Sequence, residues 1–172
     1  IGDGNVKNVH VMNSYFGGKE YVGGIAGYSD AGTITNCYNS GTVSGNNCVG
    51  GVIGYSYGAV LTGCHSEGTI SGSSNVGGVV GYNNYGSTVT DCSNTATING
   101  TYNVGGVVGY CEESSAENCY NTGAVNGNSY VGGVAGFNFT NITNCYYDST
   151  VYSGNAIGVD NGTATDVLGK TT

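Results

Sequence analysis

The sequence contains no proline, no tryptophan and no arginine, and its lysines are limited to Lys7, Lys19 and Lys170. Eleven carboxylates outnumber them and give the chain a net charge of −8. Nucleic acids and anionic membranes are bound through cationic surfaces, so both are disfavoured as partners. Long hydrophobic runs are missing as well. None approaches the roughly 20 residues of a membrane-spanning helix, and we expect no membrane insertion within this fragment.

Charged residues are scarce, at 8% of the chain, yet the composition is not that of a disordered protein. Disordered segments combine low hydrophobicity with high net charge, whereas valine, isoleucine and 15 tyrosines are spread evenly along this chain. The 34 glycines recur at fixed positions and therefore indicate required backbone conformations rather than linkers. The pattern is already under way at residue 1, so we expect a mature fragment of a longer protein.

A seven-residue phrase, Val-Gly-Gly-x-x-Gly-aromatic, dominates the sequence. Its five copies begin 27 or 28 residues apart, at residues 22–28, 49–55, 76–82, 104–110 and 131–137. Such a period is typical of a solenoid, in which a single coil cannot bury its apolar face but stacked coils share a continuous core. Three short apolar segments per repeat, separated by Gly, Asn and Ser, indicate strands. We predict an all-β parallel β-helix (β-solenoid) of about six coils, with about 27 residues and three short strands per coil.

The whole chain, residues 1–172, is expected to form a single β-solenoid domain. The predicted repeats cover approximately residues 1–30, 31–57, 58–85, 86–113 and 114–139. Residues 140–172 depart from the pattern and are expected to form an atypical terminal coil and tail. Atypical terminal repeats are common in solenoids, because the open strand edges must be protected from further pairing.

Seven cysteines would suggest disulfides in a short secreted chain, but most of them follow the repeat. One position in successive coils is occupied by Cys37, Cys64, Cys92, Cys119 and Cys145. The first coil has Val9 there, so we predict a ladder of inward-facing free thiols, with ladder disulfides or a metal site as alternatives. Cys48 and Cys111 lie off this ladder and are expected to be exposed and unpaired. This usage favours a compartment that is not strongly oxidising.

The end of each phrase supplies an aromatic column, and the segment that follows it varies in length. The column consists of Tyr28, Tyr55, Tyr82, Tyr110 and Phe137. Insertions in solenoids map to loops on one face, which is often a binding face. The variable segments carry acids and aromatic residues, and the candidate ligand-binding residues are Asp30, Tyr57, Tyr85, Glu112, Glu113 and Phe139. The alternative is a solvated turn without a ligand.

The five phrases occur together with Asn-Cys-Tyr-Asn-x-Gly at residues 36–41 and 118–123. In this combination the repeats resemble the GLUG motif, a short glycine-rich repeat of bacterial surface proteins. Phe137 departs from the tyrosine of that phrase, which is a mild change. The resemblance implies an extracellular or cell-surface location. Similar arrays occur in adhesins and beside the catalytic domains of immunoglobulin-A-cleaving metallopeptidases, and the resemblance transfers no catalytic residue.

Catalytic chemistry has little support in the sequence. A metallopeptidase needs a His-Glu-x-x-His helix or an equivalent ligand set, whereas His10 and His65 are the only histidines and belong to no such motif. Glu112, Glu113 and Glu117 are the densest acids, but no basic residue lies near them in sequence to stabilise charge in a polysaccharide lyase or hydrolase. We therefore predict no catalytic residue, no metal site and no cofactor.

These features predict a non-catalytic structural or adhesive repeat module of a bacterial surface or secreted protein. The alternative is an accessory domain of a secreted metallopeptidase whose catalytic part lies outside this chain, and a third hypothesis is a carbohydrate-active enzyme. Thr-x-Thr pairs at residues 33–35 and 88–90 also suggest ice binding, although Val60, Ser115 and Glu117 interrupt that array. Expected partners are a host glycan or matrix protein, and further repeats or domains of the same chain.

Overall fold

The computed structural model describes residues 1–171, which contain thirty short strands and no helix. The strands pair in parallel, and the chain returns to the same sheet once per coil. Five sheets therefore run side by side along the molecule. We number them I to V in the order in which one coil visits them.

Sheets I and II contain seven strands each. Sheet I is formed by β1 (Asn5–Lys7), β6 (Thr33–Thr35), β11 (Val60–Thr62), β16 (Thr88–Thr90), β21 (Ser115–Glu117), β26 (Asn141–Thr143) and β29 (Thr163–Thr165). Sheet II is formed by β2 (His10–Val11), β7 (Tyr38–Asn39), β12 (His65–Ser66), β17 (Ser93–Asn94), β22 (Tyr120–Asn121), β27 (Tyr146–Asp148) and β30 (Leu168–Lys170).

The other three sheets contain five or six strands. Sheet III is formed by β3 (Tyr15–Gly17), β8 (Thr42–Ser44), β13 (Thr69–Ser71), β18 (Thr97–Asn99) and β23 (Val125–Asn126). Sheet IV is formed by β4 (Glu20–Gly23), β9 (Asn47–Gly50), β14 (Ser74–Gly77), β19 (Tyr102–Gly105) and β24 (Ser129–Gly132). Sheet V is formed by β5 (Ala26–Asp30), β10 (Ile53–Tyr57), β15 (Val80–Asn84), β20 (Val108–Cys111), β25 (Ala135–Asn138) and β28 (Ile157–Asp160).

The predicted all-β parallel β-solenoid with about 27 residues per coil is confirmed. Within residues 1–171 it has about five turns rather than six, because sheets III and IV contain five strands each and the outermost coils are incomplete. The prediction of three strands per coil is corrected to five. Asn36, at a φ of 52°, separates β6 from β7, and Gly51 with Val52 separates β9 from β10. Segments that look like one continuous strand in the sequence are therefore each divided into two strands.

Residues with left-handed backbone conformation recur at the bends of the coil. The residue before each ladder cysteine has a φ between 51° and 64°, and this column consists of Asn36, Gly63, Asp91, Asn118 and Asn144. Glycine, asparagine and aspartate are the residues that adopt this conformation most easily. The residue before each Val-Gly-Gly phrase has a φ between 51° and 56°, and this column consists of Tyr21, Cys48, Asn75, Asn103 and Tyr130. Here Tyr21 and Tyr130 adopt the same conformation, at some cost in backbone strain because their side chains are bulky.

The inward-facing apolar side chains form two separate clusters. The larger cluster joins sheet I to the cysteine ladder and to the residues after each glycine pair, as in Leu61, Cys64 and Val52. The smaller cluster joins sheets III and IV, as in Ile70 and Val49. Full burial of one such aliphatic side chain stabilises the fold by about 1.5–3 kcal/mol. Stacking therefore extends both cores by one layer per coil.

The structure places all seven cysteines in the interior as free thiols. The five ladder cysteines belong to the larger core, and their thiols donate to backbone carbonyls, as Cys64 Sγ does to the Ile34 oxygen at 3.5 Å. Hydrogen bonding with Cys92, together with burial, raises the pKa of the Cys64 thiol. These cysteines behave as small buried hydrophobic residues, as the exchange with Val9 suggested.

The prediction that Cys48 and Cys111 are exposed is wrong, because both are buried. Cys111 occupies the inward position of sheet V that other coils fill with buried polar residues such as Ser56, Asn83 and Asn138. Polar residues at the aligned positions suggested a surface site, but their side chains are hydrogen-bonded inside the coil, as Asn83 Nδ2 is to the Ser115 carbonyl at 3.1 Å. Burial raises the pKa of each of these two thiols to about 11.

Glycine is required in the repeated phrase because backbone lies against backbone there. A side chain at Gly106 would collide with the Gly133 carbonyl of the next coil and with the Asn121 amide. A Cβ at Gly81 would lie 2.6 Å from the Val49 amide nitrogen in the preceding coil. Sheets IV and V can therefore approach each other only through glycine.

We expect Gly106→Val to destabilise the solenoid by about 3 kcal/mol or more, because neither backbone nor a buried amide can move aside without disturbing the adjacent coil. The measurement is the free energy of unfolding from denaturant titration, followed by circular dichroism. Gly2→Val is the matched control, since an added Cβ there meets nothing within 4 Å. If Gly106→Val unfolds at the same denaturant concentration as the unmodified chain, the steric role assigned to this glycine is wrong.

We also expect the native protein to react poorly with a chromogenic thiol reagent at pH 8, because all seven thiols are buried and the reagent cannot reach them. Burial also keeps Cys48 and Cys111 protonated at that pH, whereas the reactive species is the thiolate. Since these two pKa values are raised, Cys48 and Cys111 become thiolates only as the pH approaches about 11. All seven thiols should react once the chain is unfolded in denaturant. Ser153→Cys adds an exposed thiol and serves as the positive control. Rapid labelling of the unmodified native chain would contradict the burial of its cysteines.

Candidate functional site

The outer face of sheet V carries a continuous stack of five aromatic rings. Side chains alternate across a strand, so in β10 the half-exposed Tyr55 and Tyr57 flank the buried Ser56. Parallel pairing without a register shift places the last residues of the five phrases next to one another, in the order Tyr28, Tyr55, Tyr82, Tyr110 and Phe137. Adjacent ring centroids are 4.8–5.5 Å apart, and their planes deviate by at most 24°. We call this stack the aromatic column.

The variable corner begins beside the aromatic column, two residues further along each strand. Tyr57 stacks on Tyr85 with centroids 4.5 Å apart and planes within 5°. Phe139 stacks on Phe137 at 4.8 Å, and it is 46% exposed. Three of the six candidate residues are thus aromatic rings beside the column: Tyr57 and Tyr85 stack on each other, and Phe139 stacks on the last ring of the column.

The three acidic candidates lie along the same edge. Asp30 is paired with Tyr57 at the end of sheet V. Glu112 accepts a hydrogen bond of 2.5 Å from the Tyr82 hydroxyl, which joins two successive coils. Glu113 is exposed in the following turn, at a φ of 46°. All six candidate residues therefore lie along one edge of the rod, but they are spread over several coils rather than gathered into one pocket.

The electrostatic character of this face is acidic. Burial, and then the charge of Asp30, raises the pKa of Tyr28, while burial and Glu112 raise the pKa of Tyr110. None of the three lysines belongs to sheet V or to the turn after it, as far as the described residues show. The face thus combines apolar rings, phenol hydroxyls and carboxylates.

Two tyrosines that were not predicted from the sequence as site residues lie at the two ends of this face. Tyr21 meets Tyr55 edge-on at 5.2 Å, and Tyr130 meets Phe137 at 5.6 Å with an interplanar angle of 89°. Between them the same left-handed column carries only small or amide side chains, and Asn103 Nδ2 donates to Asn75 Oδ1 at 2.8 Å. The sequence could have indicated these two residues, because a tyrosine directly precedes the Val-Gly-Gly phrase only in its first and last copies.

A separate cavity of about 240 Å³ lies on sheet II, near the C-terminal end of the rod. Its lining comprises Tyr120, Asn121, Thr122, Tyr146, Tyr147 and Lys170. The Lys170 ammonium sits 3.5 Å above the centroid of Tyr146, and this cation–π contact occupies the only charged group of the lining. The cavity therefore offers a small, largely aromatic surface.

The histidines lie on sheet II, away from the variable corner. His65 stacks on Tyr38 with centroids 5.5 Å apart, and its Nδ1 is 2.7 Å from Ser93 Oγ. Burial lowers the pKa of His65. Across residues 1–171, no three His, Cys, Asp or Glu side chains are grouped so that they could hold a metal ion. No helix long and apolar enough to cross a bilayer occurs in that part of the chain either.

Comparison with known proteins identifies the repeat. A family model described as the GLUG motif matches five consecutive segments, namely residues 18–44, 45–71, 72–99, 100–126 and 127–152. No curated protein and no solved structure matches the chain. The five matched segments coincide with the period of the coil and cover well over half of the sequence, and the protein belongs to the GLUG motif family.

Proposed function

We propose that this chain is a non-catalytic structural and adhesive repeat module of a bacterial surface or secreted protein. The observation that carries the proposal is the uninterrupted aromatic column, flanked by the aromatic and acidic variable corner, on the outside of a regular rod. A rigid rod keeps such a face in a fixed geometry, which lowers the entropy lost when a partner binds.

The structural part of this role is supported by the way each coil depends on its neighbours. Backbone hydrogen bonds connect successive coils in all five sheets, and both cores continue from coil to coil. Stability in such a chain is a sum of repeat and interface contributions, so a row of repeats acts as a spacer of defined length.

The adhesive part is supported by the exposure of large aromatic residues at the variable corner. Tyr85 is 57% exposed and Phe139 is 46% exposed, although each stacks on another ring. Tyrosine and phenylalanine are enriched at recognition surfaces because they combine a large contact area with little conformational entropy. The partner proposed for this corner is a host glycan or a matrix protein.

A non-catalytic role agrees with the state of the acidic residues. Glycoside hydrolysis requires a pair of carboxyl groups on either side of a scissile bond, and lyases require a base together with charge stabilisation. Glu112 is hydrogen-bonded to Tyr82, and Glu113 points from an exposed turn whose neighbourhood supplies no lysine. These acids shape the electrostatic character of the face.

An extracellular or cell-surface location is part of this proposal, and it is supported by the resemblance to repeats of bacterial surface proteins. An accessory role beside a secreted metallopeptidase is compatible with the same module. The sequence of the intact gene separates the two. A wall or membrane anchor with further repeats supports a surface adhesin, whereas a His-Glu-x-x-His motif elsewhere in the chain supports the peptidase.

We expect beads coated with the module to be retained on at least one immobilised host glycan or matrix protein. Replacing Tyr57, Tyr85 and Phe139 together by serine should reduce retention by about tenfold, because the exposed rings supply the apolar contact. The matched control replaces three exposed tyrosines of other sheets, namely Tyr15, Tyr102 and Tyr120. Equal retention of both variants would show that the binding surface lies elsewhere. If no glycan or matrix protein retains the beads, the module acts only as a spacer.

A further inference from the structure

We propose that the aromatic column of sheet V is a binding track for a linear, neutral, β-1,4-linked glycan that lies parallel to the axis of the rod. The inference rests on the adhesive function proposed above and specifies the class and orientation of the ligand. It concerns the rings at the ends of the five phrases rather than the six corner residues alone.

The spacing of the rings is the first argument. Successive centroids recur every 4.8–5.5 Å, with one ring per coil. An extended β-1,4-linked glycan advances by nearly the same distance per sugar ring, so each ring of the column meets one sugar. Because neighbouring sugars are flipped over relative to each other, the same contact recurs at every second ring, as at Tyr55 and Tyr110. An extended peptide advances by about 3.3 Å per residue and loses this match after one coil.

The chemistry of the column is the second argument. Because the rings stack face to face, each tyrosine presents its apolar ring edge and its hydroxyl outward, just as each sugar presents C–H groups and hydroxyls. Two of the hydroxyls are held in place by neighbours, since Tyr55 accepts from Asn84 Nδ2 at 3.2 Å and Tyr82 donates to Glu112 at 2.5 Å. These two phenol oxygens, one coil apart, can therefore hydrogen-bond to hydroxyls of successive sugars, whereas Phe137 contributes a ring without a hydroxyl.

The charge of the face is the third argument, and it selects the class of glycan. Asp30, Glu112 and Glu113 border the column, and sheet V with its following turns provides no lysine among the described residues. Sulfated glycans and those rich in uronic acids would bring like charges next to these carboxylates, which is unfavourable. A neutral polymer meets no such repulsion.

The shape of the face is the fourth argument, and it sets the length of the ligand. At the two ends of the column, Tyr130 stands perpendicular to Phe137, whereas Tyr21 is inclined by 51° to Tyr28 and by 70° to Tyr55. The side chains of Tyr21 and Tyr130 are 43% and 49% exposed. The three coils between them carry the shorter side chains Cys48, Asn75 and Asn103 at the equivalent position. The side chains along this edge of the column therefore project less in the middle than at the two ends. Four steps between coils span roughly 19 Å, which corresponds to four or five sugars.

The test is calorimetric titration of the unmodified chain with neutral β-1,4-linked oligomers of N-acetylglucosamine and of glucose, from two to six units. We expect the affinity to increase by about threefold per added sugar and to reach a plateau at about five units, one for each ring. An α-1,4-linked glucose hexamer, which is coiled, and an oligogalacturonate, which is anionic, are the ligand controls and should bind at least about tenfold more weakly.

Variants locate the site. Tyr82→Ala removes the central ring and should weaken binding of the hexamer by about tenfold, while Tyr82→Phe keeps the stack and should weaken it less. Tyr120→Ala, on sheet II, is the matched control and should bind like the unmodified chain. Melting curves show whether each variant is folded, and the dependence on oligomer length in the unmodified chain tests the track without any substitution.

Several outcomes would overturn the track. Binding that does not depend on oligomer length, or that is equally strong for the α-linked or anionic oligomer, contradicts the spacing and charge arguments. Retention on a matrix protein without binding of any β-1,4-linked oligomer leaves the adhesive function in place and refutes only the track. A dimer in light scattering that Tyr82→Ala dissociates, with no glycan bound, would assign this face to a second copy of the chain. No binding in either assay refutes the adhesive function as well.

Discussion

The rest of the structure depends on the close approach of backbone to backbone in the Val-Gly-Gly-x-x-Gly phrase. A Cβ at Gly81 would lie 2.6 Å from a backbone nitrogen of the coil before it, and Gly54 and Gly109 are equally enclosed. Because these contacts are satisfied only when coils stack without a register shift, they fix which residue lies above which. The cores, the thiols and the aromatic rings then follow as columns.

The period of the sequence was sufficient to predict the columns, because a solenoid converts recurrence in sequence directly into proximity in space. It was not sufficient to predict how one coil bends. The division into five strands depends on left-handed residues such as Asn36, whose conformation is decided by the hydrogen bonds on both sides. The burial of Cys111 was missed for a related reason. Its equivalents Ser56 and Asn83 are polar, yet they are enclosed and hydrogen-bonded.

The same distinction applies to the candidate site. The aromatic column could be predicted because Tyr55 and Tyr82 occupy equivalent positions, and the corner residues because their segment varies in length. The edge-on contacts of Tyr21 and Tyr130 with the column could not be predicted, since they depend on a positive φ that turns the side chain toward the neighbouring sheet. A tyrosine is an unusual residue for that conformation, and its presence at both ends of the face points to a role that glycine or asparagine would not fill.

The equivalence of the coils has an evolutionary consequence. Every column continues through matching positions, and the segments of 26 to 28 residues matched to the motif differ little in length. Duplication or deletion of one such segment in the gene would lengthen or shorten the array by one coil. The new neighbours would make the same contacts that the existing coils already make. Selection could thus adjust the reach of the molecule by recombination between repeats, while point mutations at the variable corner change its chemistry independently.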